Sequence, residues 1–155
     1  MAFEGKRGTH GRRNQSAGPV TRWLSKRMMN WHRRKGGKFQ GMDVLVLTTK
    51  GAKTGQERQT ALSWFPDGED AWLIVASAAG ARGNPAWFHN IAAHPDQVWA
   101  EFPGRTIRVV PAQLTGAARA AAWERITAAQ PRYAKYQQAT DRVLPVVRLV
   151  PAEEG

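Results

Sequence analysis

The chain has 155 residues, enough for one domain with its own core, and no cysteine, which excludes disulfide frameworks, thiolate metal sites and cysteine nucleophiles. Its net charge of +11 is lopsided: residues 1–50 hold 12 Lys and Arg against 2 Asp and Glu, whereas residues 51–155 hold 11 against 10. The globular part is therefore nearly neutral, and the basic excess belongs to an arm and its neighbouring helix.

No apolar run approaches the roughly 20 residues that cross a bilayer, and the N-terminus lacks the apolar core of a signal peptide. These features point to a cytoplasmic protein. Residues 1–18 are rich in Gly, Arg, Asn, Gln and Ser with almost no apolar content, the composition of a flexible basic arm ahead of a single domain over residues 19–155. From Pro19 onward Val20, Trp23, Leu24, Met28 and Trp31 fall at helical spacing, with Arg22, Lys26, Arg33 and Arg34 largely off that stripe. Residues 20–34 thus read as a basic amphipathic helix that stops near Gly36-Gly37. It can pack on the domain, lie on an anionic membrane surface or touch nucleic acid. Its tryptophans and methionine beside a dense basic face favour anionic lipid over nucleic acid.

Val44, Leu45, Val46 and Leu47 form an apolar run suited to a strand, and residues 58–64 suit a second. Between them lies a polar loop in which Gly51 and Gly55 free the backbone, threonines offer hydroxyls, and Lys50, Lys53 and Arg58 supply charge. This is either an anion cradle or an ordinary basic hairpin turn. It is not a P-loop: Ala52 stands where a glycine must precede Lys53-Thr54, Leu47 replaces the earlier glycine, and a strand follows instead of a helix.

The stretch Pro66-Asp67-Gly68-Glu69-Asp70 signals a turn that joins the 58–64 strand to one over residues 72–76 as a hairpin. Residues 77–83 make a small-residue loop. Asn84-Pro85 then sets a favoured N-cap before a favoured first helical residue, for a short helix reaching His94-Pro95. Residues 97–102 and 106–114 read as strands around Pro103-Gly104. Thr115 caps an alanine-rich helix with Ala118, Ala122, Trp123, Ile126 and Ala129 at helical intervals, and Pro131 ends it. A further short helix carries Tyr133 and Tyr136 on one face, and residues 144–150 supply a last strand with Pro145 near its start. The connections between strands are mostly too short for parallel crossovers, so the expected architecture is an antiparallel α+β barrel with peripheral helices. His89 and His94 are five apart and do not share a helical face, so no metal site is expected.

Taken in order, TTxGxKTGxxRxT at residues 48–60, the PDG turn, VAS at 75–77, the Gly-containing loop, NPAWxxN at 84–90 and PxYxxYQ at 131–137 resemble the deazaflavin-dependent nitroreductase and quinone reductase family. The resemblance spans about residues 23–151. It implies a split β-barrel of the FMN-binding-like type, coenzyme F420 as cofactor, and hydride transfer from reduced F420 to an electrophilic acceptor such as a quinone, nitro compound or activated enone. It places the cofactor contacts on Ala52, Lys53 and Thr54; on Arg58, Gln59, Thr60, Ala61 and Leu62; on Val75, Ala76, Ser77 and Ala78; and on Ala86, Trp87, Phe88, His89 and Asn90.

F420 carries a phosphodiester and an oligoglutamate tail, which suit Lys53, Thr54 and Arg58, while Trp87 and Phe88 offer aromatic surface for the ring system. The helix beginning at Asn84-Pro85 can also aim free N–H groups at a cofactor oxygen. On the substrate side Tyr133 is preferred as hydrogen-bond donor, with Tyr136 and Ser77 secondary; the bland alternative packs both tyrosines on the barrel. Departures from the family pattern are Glu57 and Ala61 for prolines, Ala78-Ala79 for Lys-Gly, Phe88 for Tyr, and Ser63 and Gln130 for aromatics found in some members. Alternatives are an FMN-dependent reductase on the same barrel, a non-catalytic flavin- or deazaflavin-binding protein and, more remotely, a nucleic-acid-binding module using the basic arm. The acceptor and the oligomeric state stay open.

Overall fold

The computed structural model describes residues 3–5, 7–9, 11, 38–39 and 42–152. The helix expected over residues 20–34 lies outside them. In chain order the elements are β1 (Lys38–Phe39), β2 (Met42–Lys50), β3 (Glu57–Ser63), β4 (Phe65–Pro66), β5 (Trp72–Val75), a single 3-10 turn (Ala78–Gly80), α1 (Ala86–Ala93), β6 (Trp99–Phe102), β7 (Arg105–Gln113), α2 (Gly116–Ala129), α3 (Arg132–Gln138) and β8 (Val146–Pro151).

All strand pairings among the described residues are antiparallel, in the order β1-β2-β6-β7-β8-β5-β4, with β3 paired to β2 off that path. The strands expected at residues 44–47, 97–102, 106–114 and 144–150 are present with bounds shifted by a few residues. The hairpin expected between the 58–64 and 72–76 strands is not. β3 pairs instead with β2 along its length, from Val44↔Ser63 to Lys50↔Glu57, and the two-residue β4 takes the place beside β5. Pro66 accounts for the brevity of β4, because it has no N–H to continue a ladder.

One residue, Trp64, separates β3 from β4, yet those strands sit at opposite ends of the sheet. The chain therefore steps directly from one end to the other, with the Trp64 N–H donating to the Asp43 carbonyl at 3.0 Å and β3 lying beside β5. That step curls the sheet into a split barrel.

Alternation along the strands divides the apolar side chains between two cores. Leu45, Leu47, Ile74, Ala100, Val109, Val147 and Leu149 fill the barrel, which Trp87, Phe88 and Ile91 of α1 also enter. Leu73, Val75 and Val146 face the other way and pack with Leu144, Ala122, Ile126 and Tyr133 under α2 and α3. The spacing of Ala122 and Ile126 along α2 is the sequence signal for this second layer.

The N-terminal residues that are described make specific contacts with the domain. Phe3 packs edge-on to Phe88 with ring centroids 5.9 Å apart, Glu4 and Gln113 exchange two hydrogen bonds of 2.6 Å, and the Gly8 N–H donates to the Arg82 carbonyl at 2.8 Å. One aromatic anchor and small residues that permit close approach hold these described residues against the domain.

Candidate cofactor-binding site

The β2–β3 connection is a tight turn closed by its own backbone: the Gly51 N–H donates to the Gln56 carbonyl at 2.7 Å and the Gly55 N–H to the Gly51 carbonyl at 2.8 Å. Gly55 has φ of 69°, which a side chain resists and glycine accepts. The Thr54 hydroxyl accepts from the Gln56 N–H at 3.2 Å, leaving its own proton for an outside acceptor. Ala52, Lys53, Thr54, Arg58 and Gln59 are exposed, while Thr60, Ala61 and Leu62 are half-buried toward the barrel. Among the described residues Lys50, Lys53 and Arg58 have no ion-pair partner. Three cations around one turn, against the single carboxylate of Glu57 opposite Lys50, suit a polyanionic ligand.

The second segment follows β5. Val75 and Ala76 are buried in opposite cores, so their side chains support the loop from below. Ser77 and Ala78 are half-buried. Ala78 and Ala79 both adopt left-handed backbone, with φ of 44° and 54°, a region that L-residues other than Asn and Asp rarely enter. Among the described residues their N–H groups make no hydrogen bond, so this turn offers two free backbone donors. The strained pair stands where the family frequently has Lys-Gly, and the glycine there has a conformational reason.

Helix α1 joins the two segments. At its C-terminal half the buried Asn90 accepts from the Ala52 N–H at 2.9 Å and donates to the Thr49 hydroxyl at 3.1 Å. Asn90, one of the expected cofactor contacts, thereby anchors the β2–β3 turn through its amide. Trp87 and Phe88, expected to offer aromatic surface to a ring, are 4% and 3% exposed and pack edge-to-face inside the barrel core. Positions 87, 88 and 91 share the inward face of the helix, which leaves Ala86 and His89 exposed on the other. The helix starts with Pro85 as N-cap; Asn84, expected to cap, points its amide elsewhere, to Gly5 and Arg142.

The third component is α3. Gly80 approaches it so closely that a Cβ would meet the Tyr136 carbonyl at 2.6 Å and the Ala139 side chain at 2.9 Å. This fixes the 78–80 turn against the helix bearing both tyrosines. Tyr133 is 7% exposed, edge-on to Phe65 and Tyr136 at 5.6 Å each, so the bland packing role is real. Burial pushes its phenol above the ordinary value of 10.0, and a hydrogen bond with Ser63 partly offsets this. Tyr133 is thus held protonated at neutral pH, beside a β3 residue that lies near the same loop-and-helix assembly. Tyr136 and Ser77 are half-buried.

Arg142 carries no local sequence signal. It is 2% exposed, and its guanidinium donates to the carbonyls of Ala81 (3.0 Å), Ala76 (2.9 Å) and Ser77 (2.9 Å) and to Asn84 Oδ1 (2.5 Å). Burial lowers its pKa below the ordinary arginine value.

Two other features fall outside this assembly. A surface concavity of about 800 Å³ is lined by Asp67 to Asp70, Arg148, Val150 and Pro151. Its acidic rim disfavours an anion, and Asp67 is occupied by Arg148 at 2.6 Å and Arg125 at 3.0 Å. Among the described residues no group of three His, Asp or Glu side chains is placed to hold a metal. The cationic turn and the free N–H groups, in contrast, fit the phosphodiester and carboxylates of F420.

Comparison with known proteins addresses the family and the fold. The model of the family described as F420H(2)-dependent quinone reductase matches residues 20–151. An F420H(2)-dependent quinone reductase of Mycobacterium tuberculosis (strain ATCC 25618 / H37Rv) is 41% identical over 107 residues, covering 68% of this chain and 71% of that protein. Among solved structures, the F420-H2 dependent reductase FDR-A aligns with a TM-score of 0.61 and 31% identity over 68% of this chain and 92% of its own. HutZ of Vibrio cholerae, a heme storage protein, aligns over 84% of this chain and 92% of its own with a TM-score of 0.52, but at 14% identity it speaks to the fold alone. The chain belongs to the F420H(2)-dependent quinone reductase family.

Proposed function

We propose that this chain binds reduced F420 across the two loops held by α1 and passes its hydride to a quinone-type acceptor. The observation that carries the reading is the convergence of an unpaired cationic turn and a turn with free N–H donors on one helix, anchored through Asn90 at one end and Asn84 at the other. F420 supplies the hydride chemistry when bound, so the chain needs no nucleophile or metal of its own. Lys53 and Arg58 hold the anionic tail, with the Thr54 hydroxyl as a further donor. The Ala78 and Ala79 N–H groups receive a second set of cofactor oxygens.

Tyr133 acts on the acceptor side. Its protonated phenol donates a hydrogen bond to an acceptor oxygen and stabilises the charge that develops there; Ser63 orients that hydroxyl, and Tyr136 and Ser77 complete the polar lining. Nitro compounds and activated enones present oxygens of the same kind and fall within the reading. The basic stretch 20–34 brings the protein to anionic membranes where lipid-soluble quinones reside. In a liposome flotation assay the full chain should float with anionic vesicles while a chain starting at Phe39 stays behind; equal behaviour removes the membrane part.

The test of the whole is a titration with F420 and FMN followed by a panel of quinones, nitroimidazoles and enones under reduced F420. Preferential F420 binding with acceptor-dependent oxidation supports the proposal. Preferential FMN binding, or F420 binding with no acceptor turned over, returns the chain to the alternatives.

A further inference from the structure

We infer that Arg142 is a positioning residue for the cofactor loop: its buried guanidinium staples together the two ends of the strained Ala78-Ala79 turn, and thereby sets the site's affinity for F420. The inference rests on the cofactor reading proposed above.

Three observations combine. First, the guanidinium grips the carbonyls of Ala76 and Ser77 just before the left-handed pair and that of Ala81 just after it, with distances of 2.9, 2.9 and 3.0 Å. Left-handed alanines persist only where their surroundings over-determine them, and a planar fork bonded on both sides of the pair does this. Second, the same side chain bonds Asn84 Oδ1, while the Asn84 amide donates to the Gly5 carbonyl at 3.1 Å, so the clamp also fixes the approach to α1 and the docked arm. Third, Arg142 is itself held. Its N–H donates to the Thr140 hydroxyl at 3.2 Å and its carbonyl accepts from Gln137 Nε2 at 2.6 Å, tying the clamp to the C-terminal end of α3. The helix that carries Tyr133 and the loop that follows β5 are therefore joined through one cation. The guanidinium is buried, and each of its nitrogens donates to the loop carbonyls or to Asn84, so the side chain acts on the turn by holding its backbone.

A role limited to satisfying buried carbonyls predicts a general loss of stability. A positioning role predicts a local one, with a binding defect confined to the cofactor. The experiment compares native protein, Arg142→Ala and Arg142→Lys in the full chain, reading amide exchange by NMR, F420 affinity by fluorescence, and KM for a quinone. The lysine variant keeps bulk and charge but has one nitrogen and cannot span both ends of the turn. It keeps the test alive if the alanine variant fails to fold.

Exchange at Gly80 and Ala81, whose N–H groups bond the Ser77 and Ala78 carbonyls, should rise roughly 10- to 100-fold in the alanine variant while β7 amides hold steady. The Kd for F420 should rise about as much, quinone KM should stay within about 2-fold, and millimolar ethylguanidinium should recover part of the lost F420 affinity in the alanine variant. In the lysine variant the same changes should appear in smaller measure. A folded variant with native exchange at Gly80 and Ala81, or with a loosened loop and native F420 affinity, overturns the inference. A native protein that binds no F420 overturns the functional reading instead, so the two failures are told apart by which protein fails.

Discussion

Replacing Ala79 by glycine should stabilise this protein, an unusual direction for a substitution inside a loop. Ala79 has φ of 54° and ψ of 32°, well inside the left-handed region. An L-residue there carries a cost of roughly 1–2 kcal/mol that glycine does not. Against this, glycine widens the unfolded ensemble, which costs about 0.4–1 kcal/mol. The difference spans about 0–1.6 kcal/mol and centres on about 0.8 kcal/mol in favour of glycine. For a chain of this length one kcal/mol moves the midpoint by roughly 2–4 °C, so Ala79→Gly should melt about 1–4 °C above the native protein. Ala79→Val probes the other side: a β-branched residue resists the left-handed region more strongly, and the midpoint should fall. Thermal unfolding followed by circular dichroism reads both. A glycine variant that melts lower than the native chain, or a valine variant that melts with it, refutes the strained-turn account.

Three further outcomes follow from the geometry. Lys53→Ala with Arg58→Ala should weaken F420 by roughly 10- to 100-fold and flatten the salt dependence of binding, measured by fluorescence titration at several ionic strengths, because two tail cations are lost. Tyr133→Phe should lower kcat/KM for a quinone by about 10- to 100-fold with F420 affinity little changed. The raised phenol pKa places its contribution, to stability and to hydrogen-bond donation alike, fully below the unfolded value near 10, with loss only as pH rises through the folded value. The native pH–rate profile should accordingly show no Tyr133 limb below pH 10. Asp67 titrates the opposite way: the hydrogen bond from Arg148 holds its pKa below the usual 3.8, so its stabilisation is present above that value and lost as pH falls through the folded one. Asp67→Asn should cost about 0.5–1 kcal/mol at pH 7 and progressively less as the pH falls below 3.8, read from denaturant midpoints.

Much of this molecule is legible in its sequence because its signals are local. The Val44 to Leu47 run, the Gly51 and Gly55 turn and the Ala122–Ile126 spacing each encode an element within a few residues, and those elements are present. The ordered motifs likewise identify the two loops and the family. What pattern could not supply is long-range pairing. Residues 58–63 suit a hairpin with either neighbour, and only the closed barrel assigns them to β2. Trp87 and Phe88 are adjacent to the motif that marks the site, but the phase of α1 turns both inward. Asn90 and Arg142 act through partners 38 to 66 positions away, and an isolated polar residue carries no periodicity that announces such a role. Composition, which counts apolar residues, likewise cannot show that Phe3 meets Phe88.

The central claim is hydride transfer from F420 to a quinone on this site. It is tested most directly by anaerobic single-turnover mixing of the protein, reduced F420 and a quinone, with oxidised F420 and quinol quantified together. The account predicts protein-dependent formation of one oxidised F420 per quinol, slowed in the Lys53→Ala, Arg58→Ala protein. Bound F420 that stays reduced in the presence of every quinone tried would contradict it.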